Sequence, residues 1–152
     1  SKTGKELLVI EGHKGDVFGC AFSPDGTKVV SCSFVDNTVR VWDAQTGQNL
    51  WTGKHKRVWD CAVSPDNKLV ISVSTFGKLK VWDIETGEEK LAPVINDREA
   101  YSCAITPDGN WVILPSTEAK SLTKVDLRTG KKHPFVNNDL GIEACAVSPD
   151  GE

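Results

Sequence analysis

Methionine is absent from all 152 residues, and tyrosine occurs once. No apolar run approaches the roughly 18 residues that a bilayer-spanning helix needs. Behind Ser1-Lys2-Thr3-Gly4-Lys5 there is no apolar stretch of the kind a signal peptide carries. An excess of positive charge is also missing. The formal net charge is −3, and acidic and basic residues alternate along the chain, which excludes the basic face that general nucleic-acid binding requires. The one basic run, Lys54-His55-Lys56-Arg57, reads as a solvated loop before it reads as a phosphate site. No Walker-type phosphate loop, Gly-x-Ser-x-Gly, His-Glu-x-x-His or Cys-x-x-Cys is present. No segment has a helical apolar period long enough to compete with short strands.

What the chain does have is repetition. Cys20-Ala21-Phe22-Ser23-Pro24-Asp25 returns as Cys61-Ala62-Val63-Ser64-Pro65-Asp66 and as Cys103-Ala104-Ile105-Thr106-Pro107-Asp108. It returns again as Cys145-Ala146-Val147-Ser148-Pro149-Asp150, with the prolines 41, 42 and 42 residues apart. Val41-Trp42-Asp43 and Val81-Trp82-Asp83 follow the first two, and a decayed Val125-Asp126 follows the third. After each of these aspartates comes a Thr-Gly pair, at Thr46-Gly47, Thr86-Gly87 and Thr129-Gly130.

Between these signatures lie runs rich in Val, Ile, Thr and aromatics, bounded by turn residues, as strands are. In Ser-Pro-Asp-Gly the proline pre-sets φ and the glycine accepts φ > 0, and Asn67 stands in for that glycine in the second repeat. The strands read as Glu6–Ile10, Val17–Ser23, Lys28–Ser33, Thr38–Ala44, Gln48–Gly53, Val58–Ser64, Leu69–Ser74 and Lys78–Ile84. They continue as Glu88–Val94, Ala100–Thr106, Trp111–Pro115, Ser121–Leu127, Lys132–Val136 and Ile142–Ser148. The reading is all-β.

With its period, its Gly12-His13, its Ser-Pro-Asp-Gly turns and its Trp-Asp pairs, the chain resembles the WD-repeat β-propeller family from Glu6 to Glu152. The resemblance implies four-stranded antiparallel blades around a channel. As a single partial propeller domain over 1–152, the chain divides into the outer strand of a preceding blade (1–11), three full blades (12–53, 54–95 and 96–137) and the start of a fourth (138–152). Starting and ending inside a repeat, it is expected to be an excerpt of a larger propeller. The resemblance also implies a structural tetrad in the first blade, from His13, Ser31 (or Ser33), Asp36 and Trp42. In the second blade Lys54 or His55 stands near the His position and Phe76 at the Asp position, while Ala119 and Val125 replace Asp and Trp in the third. The later blades are therefore expected to have lost the tetrad, with the third the least regular.

Four of the five cysteines share one position on successive inner strands and are expected to be small core residues, with no metal and no cofactor. An odd number of thiols fits a reducing compartment, the cytoplasm or the nucleus. Aspartates that recur with the repeat are architecture. Residues that vary at a fixed repeat position are better binding candidates. At the start of each inner strand these are Asp16 and Phe18, Arg57 and Trp59, Glu99 and Tyr101, then Gly141 and Glu143. The family resemblance implies that they face the channel entrance and bind a protein or peptide partner, with neither nucleic acid nor membrane involved. The rest of its own propeller, or self-association through open blade edges, is the other expected contact. The function expected is a non-enzymatic interaction scaffold. The alternatives are a sensing propeller of a nucleotide-binding switch protein and, further off, a propeller hydrolase.

Overall fold

The computed structural model describes residues 6–75, 77–92, 100–116, 120–137, 141–148 and 150. Among them are twelve strands and no helix. Strands β1 (Val17–Phe22), β2 (Lys28–Ser33), β3 (Thr38–Asp43) and β4 (Asn49–Lys54) form the first sheet in that order. The second consists of β5 (Val58–Val63), β6 (Leu69–Ser74), β7 (Lys78–Asp83) and β8 (Glu89–Leu91). The third consists of β9 (Ala104–Ile105), β10 (Trp111–Ser116), β11 (Ser121–Asp126) and β12 (Lys132–Asn137). All the pairings are antiparallel, so this is a partial β-propeller of three meandering blades.

Local chemistry accounts for the turns. At Ser23–Gly26 the Gly26 amide donates to Ser23 O (2.8 Å), and Asp25 accepts from the Ser23 hydroxyl (2.6 Å) and from the Thr27 amide (3.0 Å). Gly26 has φ of 71° and Asn67, its counterpart, 60°, the left-handed region that these two residue types enter most readily. Each Trp-Asp or Val-Asp aspartate receives amide bonds from its own hairpin. Asp43 accepts from Gln45 and Thr46, Asp83 from Glu85 and Thr86, and Asp126 from Arg128 and Thr129. These bonds hold all three carboxyls below the usual carboxylate range, the Thr46, Thr86 and Thr129 amides being the largest cause.

Packing follows strand alternation. In β3, Val39 and Val41 point toward the second blade, while Arg40 and Trp42 share the opposite face. In β7, Leu79 and Val81 point toward the third blade, and Lys80 and Trp82 toward the first. One apolar cluster therefore joins Val30, Cys32, Val39 and Val41 to Val58, Cys61, Val70 and Trp82. The next joins Ile71, Val73, Leu79 and Val81 to Cys103, Val112, Leu114 and Val125. Middle strands lie between two such layers, so β6 is buried along nearly its whole length. Glycine permits the closest approach: a Cβ on Gly53 would lie 2.8 Å from the Trp82 ring.

Four expectations are revised. Residues 6–10 form no strand, and Leu7 is 84% exposed, because no neighbouring strand supplies a hydrogen-bond ladder there among the described residues. Residues 142–148 also form no strand, and Ala100–Thr106 contracts to the two residues of β9. Cys20 is exposed and Cys145 half-buried, whereas Cys61 and Cys103 are buried. Cys61 and Cys103 pack against the preceding blade, whereas no such sheet lies over Cys20 among the described residues.

Candidate functional site

Blade 1 ends in a closed hydrogen-bond chain. The Trp42 indole N–H donates to Ser31 Oγ (2.8 Å), and Ser31 Oγ lies 2.7 Å from His13 Nε2. The ionised Asp36 carboxylate can only accept, so the ring proton sits on Nδ1 and Nε2 accepts the Ser31 hydroxyl proton. His13 Nδ1–H donates to Asp36 Oδ2 at 2.8 Å. Asp36 also accepts from the Thr38 hydroxyl (2.6 Å) and the Lys14 amide (3.0 Å). Burial alone would raise the Asp36 pKa, but the bonds from Thr38, Lys14 and His13 outweigh it and lower it to about 2. Ser31, not Ser33, makes the bond. Of the partners expected in blade 1, the structure brings together His13, Ser31, Asp36 and Trp42.

Blade 2 retains three of these four groups, more than its sequence suggested. Trp82 Nε1–H donates to Ser72 Oγ (2.9 Å), and Ser72 Oγ lies 2.7 Å from His55 Nδ1. His55, in the middle of the basic run read as a solvated loop, is only 1% exposed. Burial first, and then the Lys80 and Lys78 charges, lower its pKa to about 3, so the ring is neutral. Blade 3 has Leu114 and Val125 at the Ser and Trp positions and is held there by apolar packing.

The varying positions at the starts of the inner strands meet across blades. Phe18 of β1 stacks on Trp59 of β5, with ring centroids 4.4 Å apart. Tyr101 meets Trp59 edge-to-face at 5.2 Å, and Phe34, from the β2–β3 turn, does so at 5.4 Å. The cluster is packed but not closed, since Phe18 is 47% exposed. Phe18, Trp59, Asp60, Tyr101 and Glu143 line a depression of ≈ 750 Å³. Arg57 does not line the depression and has a left-handed conformation (φ 51°). Its amide donates to Asn37 Oδ1 (2.7 Å), and its guanidinium lies 5.6 Å from the Phe34 ring. Asp16 is exposed beside β1 and does not line the depression, and Glu99 falls outside the described residues.

Two members went unread in the sequence. Phe34 lies in a turn and has no periodic signal. Asp60 had one: the residue before each repeat cysteine is Gly19, Asp60, Ser102 and Ala144, so a single carboxylate varies there. It bridges blades, accepting from the Cys61 amide (2.8 Å) and from the Cys103 amide (2.9 Å). A Cβ on Gly19 would come within 2.8 Å of its oxygen, so the small residue on blade 1 makes room for the acid on blade 2. The nearby thiols are kept protonated: the Cys61 pKa is raised by a hydrogen bond with Cys32 and by burial, and that of Cys103 mainly by burial. Among the described residues no His, Cys, Asp and Glu cluster could hold a metal ion.

The family model for the WD domain, G-beta repeat, matches residues 4–43, and the one described as outer membrane protein assembly factor BamB matches residues 35–133. WD repeat and SOCS box-containing protein 1 of Homo sapiens is 33% identical over 86 residues, 55% of this chain and 20% of that protein. Eukaryotic translation initiation factor 3 subunit I of Schizosaccharomyces pombe is 25% identical over 84 residues, 54% of this chain and 25% of that protein. The chain thus spans only about a fifth to a quarter of the length of these curated relatives. Among solved structures, the computationally designed Ika4 protein superposes with a TM-score of 0.79 at 28% identity, over 93% of this chain and 86% of that one. The Trp-Asp signatures, the bonded His-Ser-Trp groups and the stacked four-stranded sheets agree with these matches. The chain belongs to the WD-repeat family, and its residues 35–133 also fit the BamB family model.

Proposed function

We propose that the chain is part of a protein-interaction scaffold that binds a partner segment in the depression around Trp59. The observation that carries this is the half-exposed aromatic cluster of Phe18, Trp59 and Tyr101 with two carboxylates, Asp60 and Glu143, in one concave surface. Aromatic rings supply rigid apolar contact area at little entropic cost, and carboxylates at the edge favour a basic or amide-bearing side chain over an acidic one. Arg57 places its guanidinium against Phe34, and Asp16 and Glu99 belong to the proposed outer rim. Membership of the WD-repeat family supports the scaffold reading, as does a relative that is by name a subunit of a larger factor. The odd number of cysteines supports a cytoplasmic or nuclear location.

Selection of displayed random peptides against the folded chain tests this, followed by titration of the selected peptides into the Arg57→Ala/Trp59→Ala double variant. The expected outcome is at least about a tenfold loss of affinity with an unchanged circular dichroism spectrum. Equal affinity with an intact fold would sink the reading. Loss of the fold would instead assign Trp59 to the core.

A further inference from the structure

Two buried side-chain polar atoms among the described residues have no hydrogen-bond partner, His55 Nε2 and Thr75 Oγ1, and both belong to blade 2. Among the described residues the Ser72 hydroxyl meets only the Trp82 N–H, which can only donate, and His55 Nδ1, so its own proton goes to Nδ1 and the ring proton resides on Nε2. In blade 1 the ring N–H that is left, Nδ1–H of His13, donates to the carboxylate of Asp36. In blade 2 the chain position of that aspartate carries Phe76. A buried N–H donor without an acceptor forfeits the hydrogen bond it made to water when unfolded, so the arrangement asks for an oxygen acceptor.

The surroundings define what kind. His55 lines a pocket of ≈ 550 Å³ between blades 1 and 2 whose other walls include Lys54, Lys56, Lys78 and Lys80. Lys80 is already engaged with Glu89 and the Lys54 carbonyl, while Lys54 and Lys78 are exposed. The acidic wall is Asp36, whose carboxylate is saturated by Thr38, Lys14 and His13. Four lysines and the ring with the orphan donor thus line one pocket.

We propose that this pocket binds an oxyanion, a carboxylate or phosphate group, that accepts the His55 Nε2–H and is neutralised by Lys54 and Lys78. The group plays the part that Asp36 plays in blade 1, accepting the ring N–H, but is supplied from outside the chain. The site is separate from the aromatic depression and does not rest on the reading of that surface.

Inorganic phosphate, a glutamate-rich peptide and a phosphoserine peptide, each titrated into the ¹⁵N-labelled chain, test it through the His55 ring resonances. The expected result is a saturable shift of His55 Nε2–H with at least one probe, weakened about tenfold in Lys54→Gln/Lys78→Gln. Both lysines are exposed, so that variant keeps the fold, as circular dichroism would verify. Tighter binding of a peptide than of phosphate would identify a protein-borne acid. The opposite order would identify a free anion. No shift with any probe, or shifts that the lysine variant leaves unchanged, would overturn the proposal.

Discussion

Blades 1 and 2 share a sequence pattern and an antiparallel meander, yet they finish the same hydrogen-bond chain differently. In blade 1 the imidazole of His13 runs from Ser31 to Asp36, and every polar group in the chain from Trp42 to Asp36 is bonded. In blade 2 the Trp82–Ser72–His55 chain stops at a buried ring nitrogen. The two apolar environments are alike, with Trp42 and Trp82 3% and 4% exposed. What differs is one carboxylate and the ring nitrogen that meets the serine, Nε2 in His13 and Nδ1 in His55. The comparison shows that a blade's apolar packing holds without its full polar tie, and that losing the acid turns a structural histidine into an unpaired donor beside four lysines. Blade 3 extends the series: with Leu114 and Val125 in place of serine and tryptophan, these two positions carry no polar group.

The largest expected effect breaks the likeness between the blades at its apolar base. Trp42→Ala and Trp82→Ala should each destabilise by about 3–5 kcal/mol in urea unfolding, against about 2 kcal/mol for Val125→Ala in blade 3. A loss at Trp82 far smaller than at Trp42 would show that blade 2 has already lost its packing role.

The next effect separates the blades by pH. His55 is neutral in the fold with a pKa near 3, against 6.5 when unfolded, so the unfolded chain takes up the proton first. Stability therefore falls as pH drops below about 6.5, by about 2 kcal/mol at pH 5. Asp36 acts in a lower window. Its carboxyl is held at about 2 instead of 3.8, so its contribution is complete above the unfolded value and fades as pH falls toward 2. Chemical denaturation across this range, with His55→Gln as comparison, should show the upper part of the slope vanish in the variant and the lower part remain.

Much of the fold was legible in the sequence because its signals are local. The Ser-Pro-Asp-Gly and Thr-Gly turns fix chain reversal within a few residues, so β2 and β6 run over Lys28–Ser33 and Leu69–Ser74 as their patterns indicate. Strand character at 6–10 and 142–148 was misread for the complementary reason: an alternating pattern specifies a face but does not supply the neighbour that makes the ladder. The same dependence on a neighbour exposes Cys20 while it buries Cys61. In the candidate site, Phe18, Trp59 and Tyr101 were found because they vary at one repeat position. Phe34 comes from a turn, and Asp60 matters through an interblade bond that spacing alone does not reveal. His55 was hidden by its flanking lysines. A charge run marks the exposed side chains around a residue and says nothing about which way the middle one turns.

The account turns on the state of one ring, and ¹⁵N NMR of the His55 imidazole over a pH titration measures it directly. The account predicts a neutral Nε2–H tautomer from about pH 7 to about pH 5, with Nδ1 bonded to the Ser72 hydroxyl. A ring protonating near its ordinary value of 6.5, or one carrying its proton on Nδ1, would contradict it.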